Sequence, residues 1–363
     1  MSLDPRWRDV RSVLAVRLDN LGDVLMTTPA LSAVRHALPG ARLTLLGAPS
    51  ARGLARHLPM VDDVLAYDAP WVKGPSHPPG HDRRFIDTLA QHGFDAAIVF
   101  TVCTQSALPA AMMCRLAGIP LRLAHSRENP YDLLTDHVPD REVVADGMRH
   151  EVTRQLALVA AIGCTAPSDR LSMALSEADD AGACAALRRA GVDPDRPFVL
   201  VHPGATAASR RWAPDRFGAV ADGLADQAGV PVVFVGGPDE EGVVDAARQA
   251  MRRAAPSLAG ALTLGELAAA IRRAAVLVCN NSGPAHIAAA LGTPVAVLYA
   301  QTNPQHTPWR VRAEVLARDV ACRNCLRSVC PEGHHACLST IAPDEVLDAA
   351  LRLLAERAVA RAA

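Results

Sequence analysis

Short runs of consecutive hydrophobic residues alternate along this chain with longer segments of helical periodicity. In the first half the apolar runs lie at residues 13–18, 42–47 and 96–100, and the helical segments lie at residues 24–38 and 149–162. Because buried parallel strands are apolar on both faces, this alternation predicts an α/β fold with a doubly wound parallel sheet. A stretch rich in Pro, Gly and His at residues 70–82 predicts a long surface loop.

The second half repeats the pattern. Its apolar runs lie at residues 198–201, 232–235, 276–279 and 294–299, and its helical segments lie at residues 216–227, 264–274 and 343–357. An Asp- and Pro-rich stretch at residues 193–197 predicts a linker. We therefore expect a first domain at residues 1–190, a second at residues 191–342, and a final helix at residues 343–363. Ligands of parallel sheets bind beyond the carboxyl ends of the strands, so the loops there are the candidate sites.

The composition excludes some classes of function and limits which residues can supply a positive charge. The 363 residues include 37 Lys and Arg against 38 Asp and Glu, which excludes the strongly basic surface typical of nucleic-acid binding. Lys73 is the only lysine, so any other position that needs a fixed positive charge must use arginine. The first residues lack the apolar core of a secretory signal, and no apolar stretch approaches the ~18 residues of a membrane span. We expect a cytoplasmic protein.

Two polar loops follow predicted strands and begin predicted helices. In the first loop, Gly22 lets the backbone approach a ligand, and Asp23 could act as a general base or simply cap its helix. In the second loop, Ser282 and Gly283 begin a helix whose free N–H groups favour a phosphate. His286 could bind the same anion or pack against the sheet.

The loop after residues 198–201 contains Arg210 and Arg211, whose guanidinium groups suit a diphosphate. Glu240 lies in a Gly-Gly-Pro-Asp-Glu turn, where it could accept hydrogen bonds from ribose hydroxyls or lie in an ordinary solvated turn. Neither a Walker A motif nor a G-x-G-x-x-G motif occurs at the first strand-to-helix turn. This disfavours a P-loop kinase and a standard NAD enzyme.

Four cysteines lie close together near the C-terminal end, at Cys322, Cys325, Cys330 and Cys337. With His334 and His335 they could form a tetrahedral structural zinc or iron site. Their spacing differs from that of a zinc ribbon, and the alternatives are disulfides or reduced thiols that pack a loop. A catalytic metal is not expected, because the segment does not follow a strand end.

Together these elements resemble glycosyltransferase family 9, the ADP-heptose:lipopolysaccharide heptosyltransferases. The matching segments occur in the family's order: residues 17–24 and 28–31, His202-Pro203-Gly204-Ala205, Arg210-Arg211-Trp212, Gly236-Gly237-Pro238 with Glu240, Ser282-Gly283-Pro284-Ala285-His286, and the cysteine-rich stretch that ends in Gly333-His334-His335. They span nearly the whole chain.

The resemblance implies a GT-B fold, in which two Rossmann-like domains face a central cleft and the C-terminal helix packs back on the first domain. It implies inverting transfer of a heptose from a nucleotide-sugar donor, ADP-heptose, to a lipid A–core acceptor, with no cofactor required for catalysis. The first domain would bind the acceptor and the second domain the donor. The lipid acceptor implies peripheral contact with the inner face of the cytoplasmic membrane.

The resemblance also implies roles for single residues. Asp23 matches the family's catalytic base, and Arg210 would stabilise the diphosphate leaving group. We assign donor binding to Gly22, Thr206, Arg211, Glu240, Asn281, Ser282, Gly283 and His286.

Two positions depart from the family pattern, which usually has Lys in place of Arg210 and Asp in place of Asn281. Arg210 keeps the positive charge but cannot act as a neutral acid or base. Asn281 lacks a charge, which leaves the exact nucleotide sugar open. The alternatives are another sugar donor, a protein acceptor, a GT-B sugar-nucleotide epimerase or hydrolase, and a non-catalytic nucleotide-binding module.

Overall fold

The structure, a computed structural model, describes residues 2–72, 77–145 and 147–362. The chain forms two compact units, Met1–Ala174 and Leu175–Ala363, which we call the first and second unit. Lys73, the single lysine, lies outside the described residues. Within the described ranges, no helix is both long enough and apolar enough to cross a membrane.

A six-stranded parallel sheet organises the first unit. Its strands are β1 (Ser12–Arg17), β2 (Arg42–Gly47), β3 (Asp63–Ala66), β4 (Ala96–Val99), β5 (Leu121–Ser126) and β6 (Asp136–Pro139). The spatial order is β3-β2-β1-β4-β5-β6, so the winding direction reverses between β1 and β4. Such a switch point is where doubly wound sheets bind ligands beyond the strand ends.

Four helices accompany this sheet: α1 (Leu21–Ala37), α2 (Pro79–His92), α3 (Leu108–Leu116) and α4 (Glu151–Ala160). The first begins at a capping box formed by Asn20 and Asp23, and it packs against α4. The prediction of a loop at residues 70–82 is wrong at its end, because α2 already begins at Pro79. Proline suits the first helical turn, where its missing N–H would have no partner in any case. Residues 73–76 of that stretch lie outside the described range.

A five-stranded parallel sheet organises the second unit. Its strands are β7 (Val199–His202), β8 (Val232–Phe234), β9 (Val276–Asn280), β10 (Val295–Leu298) and β11 (Ala313–Leu316). The spatial order is β11-β10-β9-β7-β8. All seven strands predicted from the apolar runs are confirmed, and each end lies within one residue of its prediction.

The helices of the second unit are α5 (Glu177–Arg189), α6 (Pro214–Ala228), α7 (Glu241–Gln249), α8 (Leu264–Arg273), α9 (Gly283–Leu291), α10 (Ala336–Ser339) and α11 (Pro343–Ala362). The last helix packs on α6 and on β9, β10 and β11. Its buried side chains, among them Val346 and Leu353, belong to the hydrophobic core of the second unit. The expected contact of this helix with the first domain stays a prediction.

The two units meet in sequence at Ala174 and Leu175, earlier than the boundary expected after residue 190. The difference is due to α5, which packs against α8. Asp180 on α5 accepts hydrogen bonds from Arg272 at 2.7 Å and from Nε of Arg273 at 2.9 Å. Residues 193–197 therefore form a loop inside the second unit.

Candidate functional site

An ionic cluster lies beyond the carboxyl end of β1. Asp23 is the third residue of α1, and its Oδ2 accepts a hydrogen bond from the backbone N–H of Asn20 at 3.2 Å. The guanidinium of Arg17, the last residue of β1, contacts Asp23 Oδ1 at 3.4 Å. The same guanidinium contacts Asp19 Oδ2 at 3.0 Å and Glu151 Oε1 at 3.0 Å. Because Arg17 is fully buried, Asp23 shares one buried cation with two other carboxylates.

Burial and the neighbouring opposite charges shift the pKa values in this cluster in opposite directions. Burial raises the pKa of Asp19, although Arg17 and a 2.6 Å hydrogen bond from Gln105 Nε2 favour the charged carboxylate. Burial alone would lower the pKa of Arg17, but the surrounding carboxylates outweigh it and raise that pKa. The cluster therefore keeps Arg17 charged and raises the pKa of Asp19 above its ordinary value.

A cavity of about 270 Å³ opens within the first unit beside Asp19. Its polar lining comes from Asp19, Thr101, Thr104, Gln105 and Ser106, and the indole of Trp71 forms part of its wall. The buried Thr101 hydroxyl has no hydrogen-bond partner among the described residues. None of the described residues that line the cavity is a lysine or an arginine. Hydroxyl, amide, carboxylate and aromatic groups of this kind suit a polyol.

In the second unit, Glu240 lies beside the loop that follows β7. Its Oε2 accepts a hydrogen bond from the backbone N–H of Gly237 at 2.9 Å and lies 2.9 Å from His202 Nε2. Burial alone would raise the pKa of Glu240, but His202, the Gly237 N–H and the charge of Arg211 outweigh burial and lower that pKa. A Cβ added at Gly204 would lie 2.1 Å from Glu240 Oε1, so any larger residue there would displace the Glu240 carboxylate.

Asn280 fixes the loop that carries the predicted arginine pair. This buried residue ends β9, and its Nδ2 donates to the carbonyl of Pro203 at 2.7 Å. Its Oδ1 accepts the backbone N–H of Trp212 at 3.1 Å. Between these two anchors, Arg210 Nη2 donates to Asn303 Oδ1 at 3.3 Å. The Arg210 guanidinium is therefore held near the carboxyl ends of the strands.

The two other predicted residues of this loop, Thr206 and Arg211, are exposed. The Nε of Arg211 donates to the carbonyl of Ala205 at 2.7 Å, which orients its guanidinium. Because β9, β7 and β8 are neighbours, the structure brings this loop, the turn of Glu240 and the start of α9 to one edge of the sheet.

The start of α9 follows β9 directly. Ser282 occupies the N-cap position, Gly283 is the first helical residue, and His286 is buried one turn into the helix. Asn281 is buried as well, and its backbone N–H donates to the carbonyl of Leu298 at 3.0 Å. The Asn281 Oδ1 atom has no hydrogen-bond partner in the part of the chain that the structure describes. Gly22, by contrast, lies in the first turn of α1 in the first unit.

The structure does not group the four clustered cysteines as ligands of a metal ion. Cys322 Sγ lies 4.0 Å from His334 Nε2, while Cys337 packs against the hydrophobic core of the second unit. Burial raises the pKa of the Cys337 thiol and thus disfavours the thiolate that binds metals. Among the described residues, no three His, Cys, Asp or Glu side chains form a group that could hold a metal ion. The zinc or iron site predicted at Cys322, Cys325, Cys330 and Cys337 is therefore not supported.

The cysteine-rich segment instead supports the loop that carries Arg210. The backbone N–H of Ser209 donates to the carbonyl of Ser328 at 2.9 Å. The buried Ser209 hydroxyl donates to the carbonyl of Arg327 at 2.6 Å. These hydrogen bonds join two stretches that are far apart in sequence.

Several residues of both sites were not among the predicted site residues: Arg17, Glu151, Ser209, Asn280 and Asn303. Arg17 and Asn280 do have a signal in the sequence, since each is a polar residue at the end of an apolar strand. The other three contact partners that are distant in sequence or lie in irregular loops, so no local pattern marks them.

Sequence comparison identifies the family of proteins to which this chain is similar. The profile of glycosyltransferase family 9 (heptosyltransferase) matches residues 83–336. Lipopolysaccharide heptosyltransferase 2 of Escherichia coli K12 is 26% identical over 349 residues, which cover 93% of this chain and 96% of that protein.

Solved structures share the fold. The glycosyltransferase family 9 protein of Veillonella parvula superposes with a TM-score of 0.80 at 24% identity, covering 98% of this chain and 99% of that one. The ADP-heptose lipopolysaccharide heptosyltransferase II of E. coli superposes with a TM-score of 0.75 at 23% identity, covering 96% and 99%. These similarities, with the two parallel sheets, establish the α/β GT-B fold.

Proposed function

Because this chain belongs to glycosyltransferase family 9, we propose that it transfers a heptose from ADP-heptose to the inner core of lipopolysaccharide, with inversion at the anomeric carbon. One observation carries this proposal for the reaction. The carboxylate of Asp23 lies beyond the end of β1, and both of its oxygens are held in place, one by the backbone N–H of Asn20 at 3.2 Å and the other by the Arg17 guanidinium at 3.4 Å.

Asp23 acts as the general base in this proposal. It takes the proton of the acceptor hydroxyl, and that oxygen forms a bond to the anomeric carbon of the donor. The bond from the anomeric carbon to the diphosphate oxygen breaks, and ADP leaves. A single displacement of this kind inverts the configuration. The 3.4 Å contact with Arg17 and the hydrogen bond from the Asn20 N–H orient the carboxylate for the proton transfer.

The second unit supplies the groups that stabilise the leaving diphosphate. Arg210, anchored through Asn303, carries a permanent positive charge, and the N-terminus of α9 adds the positive end of its helix dipole. Such preorganised donors matter most where charge develops in the transition state. The proposal assigns this role to the protein's own groups and includes no cofactor. Glu240, whose lowered pKa keeps it ionised near neutral pH, accepts hydrogen bonds from the nucleoside.

The acceptor enters the cavity of the first unit beside Asp19. Its lining of hydroxyl, amide and indole groups offers hydrogen bonds and an apolar face but no cation among the described residues. We therefore expect the acceptor sugar in this cavity to be uncharged, such as an unphosphorylated heptose of the core, and not an acidic sugar. Since this sugar is attached to lipid A, we place the reaction at the inner face of the cytoplasmic membrane.

A second candidate function differs only in the donor. Asn281 is neutral where the family usually has Asp, and its Oδ1 has no hydrogen-bond partner among the described residues. An amide in place of a carboxylate changes the hydrogen-bond donors and the charge that a nucleotide sugar meets. This observation favours testing other nucleotide sugars beside ADP-heptose.

The proposal is tested with purified protein, ADP-heptose and a core lipid that lacks the heptose to be added. We expect ADP to form only when the lipid is present, together with a lipid product one heptose heavier. Formation of ADP without the lipid would indicate a hydrolase, conversion of the donor to an isomeric nucleotide sugar without the lipid would indicate an epimerase, and binding of ADP without turnover would indicate a binding module. A panel of other nucleotide sugars and a protein acceptor, assayed in parallel, would reveal the alternative substrates.

A further inference from the structure

Three carboxylates contact the guanidinium of Arg17. Its guanidinium makes two close ion pairs, at 3.0 Å to Asp19 and 3.0 Å to Glu151, and a longer contact of 3.4 Å to Asp23. Arg17 lies on β1, Asp23 lies in the first turn of α1, and Glu151 begins α4. Three separate elements therefore meet at one guanidinium.

Each carboxylate in the cluster also has a neutral partner. Gln105 donates to Asp19 at 2.6 Å, and Gln155 donates to Glu151 at 2.6 Å. A neutral donor orients a carboxylate but does not balance its charge. Fully ionised, the three acids would carry three negative charges against the one positive charge of Arg17, and this excess is costly in a buried site.

One further cation lies near the cluster on α4. Glu151 contributes to raising the pKa of Arg154. The Arg154 guanidinium, however, forms ion pairs with Asp140 at 2.9 Å and with Glu142 at 2.9 Å. Its charge is therefore balanced by its own partners. The titratable groups that face Asp23 from the packed elements are Arg17, Asp19 and Glu151.

We propose that Arg17 is the positioning residue for the base Asp23, and that Glu151 and Asp19 tune this base by competing for the Arg17 charge. The inference rests on the proposed function, because it assumes that Asp23 takes the proton. Arginine suits the role because it stays charged when buried, and its planar fork can face several carboxylates at once.

The competition predicts opposite effects from two substitutions. Arg17→Met removes the positive charge beside Asp23 and leaves the negative charges of Asp19 and Glu151, so the pKa of Asp23 should rise. Glu151→Gln removes a negative charge that offsets the positive charge of Arg17. The attraction between Arg17 and the Asp23 carboxylate then becomes stronger, so the pKa of Asp23 should fall. A cluster that served only stability would lower activity in both variants without moving the pH dependence.

The experiment is the pH profile of kcat/KM, from about pH 5 to about pH 9, because its acid limb reports protonation of the base in the free enzyme. We expect the acid limb to move up by about one pH unit or more in Arg17→Met and down by about half a unit in Glu151→Gln. Arg17→Lys should return the limb most of the way to its wild-type position. If Arg17→Met fails to fold, Glu151→Gln and Arg17→Lys still decide the question.

Asp62→Asn is the matched control, because it removes a carboxylate from an ion pair with Arg35 in the same unit, and this pair contacts neither Asp23 nor the partners of Arg17. It should lower thermal stability while leaving the acid limb in place. An unmoved acid limb in both Glu151→Gln and Arg17→Met, or shifts of the same sign, would overturn the inference. Wild-type-like turnover of Asp23→Ala would instead overturn the proposed function, so the two failures are distinguishable.

Discussion

Replacing Gly204 with alanine tests how closely the donor loop is fitted to Glu240. The added Cβ would lie 2.1 Å from Glu240 Oε1 and 2.3 Å from its Cδ, well inside any real contact distance. The carboxylate must therefore move by more than ~1 Å, because ordinary carbon–oxygen contacts begin near ~3.4 Å. Such a movement breaks its 2.9 Å hydrogen bonds to Gly237 and His202.

The magnitude follows from these two lost bonds. Hydrogen bonds to a charged group contribute about 1.5–3 kcal/mol each, and partial solvation of the displaced carboxylate recovers some of this. We expect Gly204→Ala to destabilise the second unit by about 2–4 kcal/mol, which corresponds to a fall in its thermal midpoint of roughly 5 °C or more. Affinity for ADP should fall by about tenfold or more, since ~1.4 kcal/mol is one factor of ten.

Thermal unfolding and calorimetric titration with ADP measure both quantities. Gly242→Ala is the matched control: a Cβ there meets nothing within 4 Å, and the residue lies in α7, so alanine should be neutral or slightly stabilising. The double variant Gly204→Ala/Glu240→Ala should be no less stable than Glu240→Ala alone, because the clash has been removed. Additive losses in that double variant would refute the steric reasoning.

Three further predictions concern charge. Asp23→Ala should lower turnover by about 10²–10⁴ while ADP binding is retained, and near-normal turnover would contradict its role as base. Arg210→Ala should lower donor turnover, whereas Arg210→Lys should retain most of it; steady-state kinetics with ADP-heptose would show equal rates if Arg210 had no role. Arg272 and Arg273 lower the pKa of Asp180 to about 2, with the hydrogen bond from Arg273 as the largest cause. Because this folded pKa lies below the ordinary value of 3.8, the stabilisation is present above pH 3.8 and is lost as the pH falls toward 2. Asp180→Asn should therefore show a smaller loss of thermal stability over that interval than the wild type, and identical pH curves would contradict the prediction.

The strands and the edge of each sheet that carries the polar loops could be predicted from the sequence. Runs such as residues 276–279 are apolar because both faces of a central parallel strand are buried, and this requirement is local. The ligand edge then follows from the parallel order, which is why Asp23, Arg210 and Ser282 could be chosen as candidates before their contacts were visible.

Contacts between distant segments could not be predicted in this way. The unit boundary depends on the pairing of Asp180 with Arg272 and Arg273, which no linker composition signals. The cysteine spacing resembles a ligand set, yet Cys337 packs into the core, which only the path of the chain decides. Likewise, nothing near Glu151 in the sequence shows that it meets Arg17.

The hydrogen bonds of Ser209 to residues 327 and 328 have a consequence for synthesis on the ribosome. The first unit is continuous in sequence and ends at Ala174, so it can fold while the rest of the chain is still being made. The loop of Arg210 emerges early in the second unit, whereas residues 327 and 328, which support it, and α11, which contributes to the core, are translated later. A nascent chain that stops before residue 327 therefore has a complete first unit and an unsupported donor loop. We therefore expect such a shortened chain to lack the proposed activity.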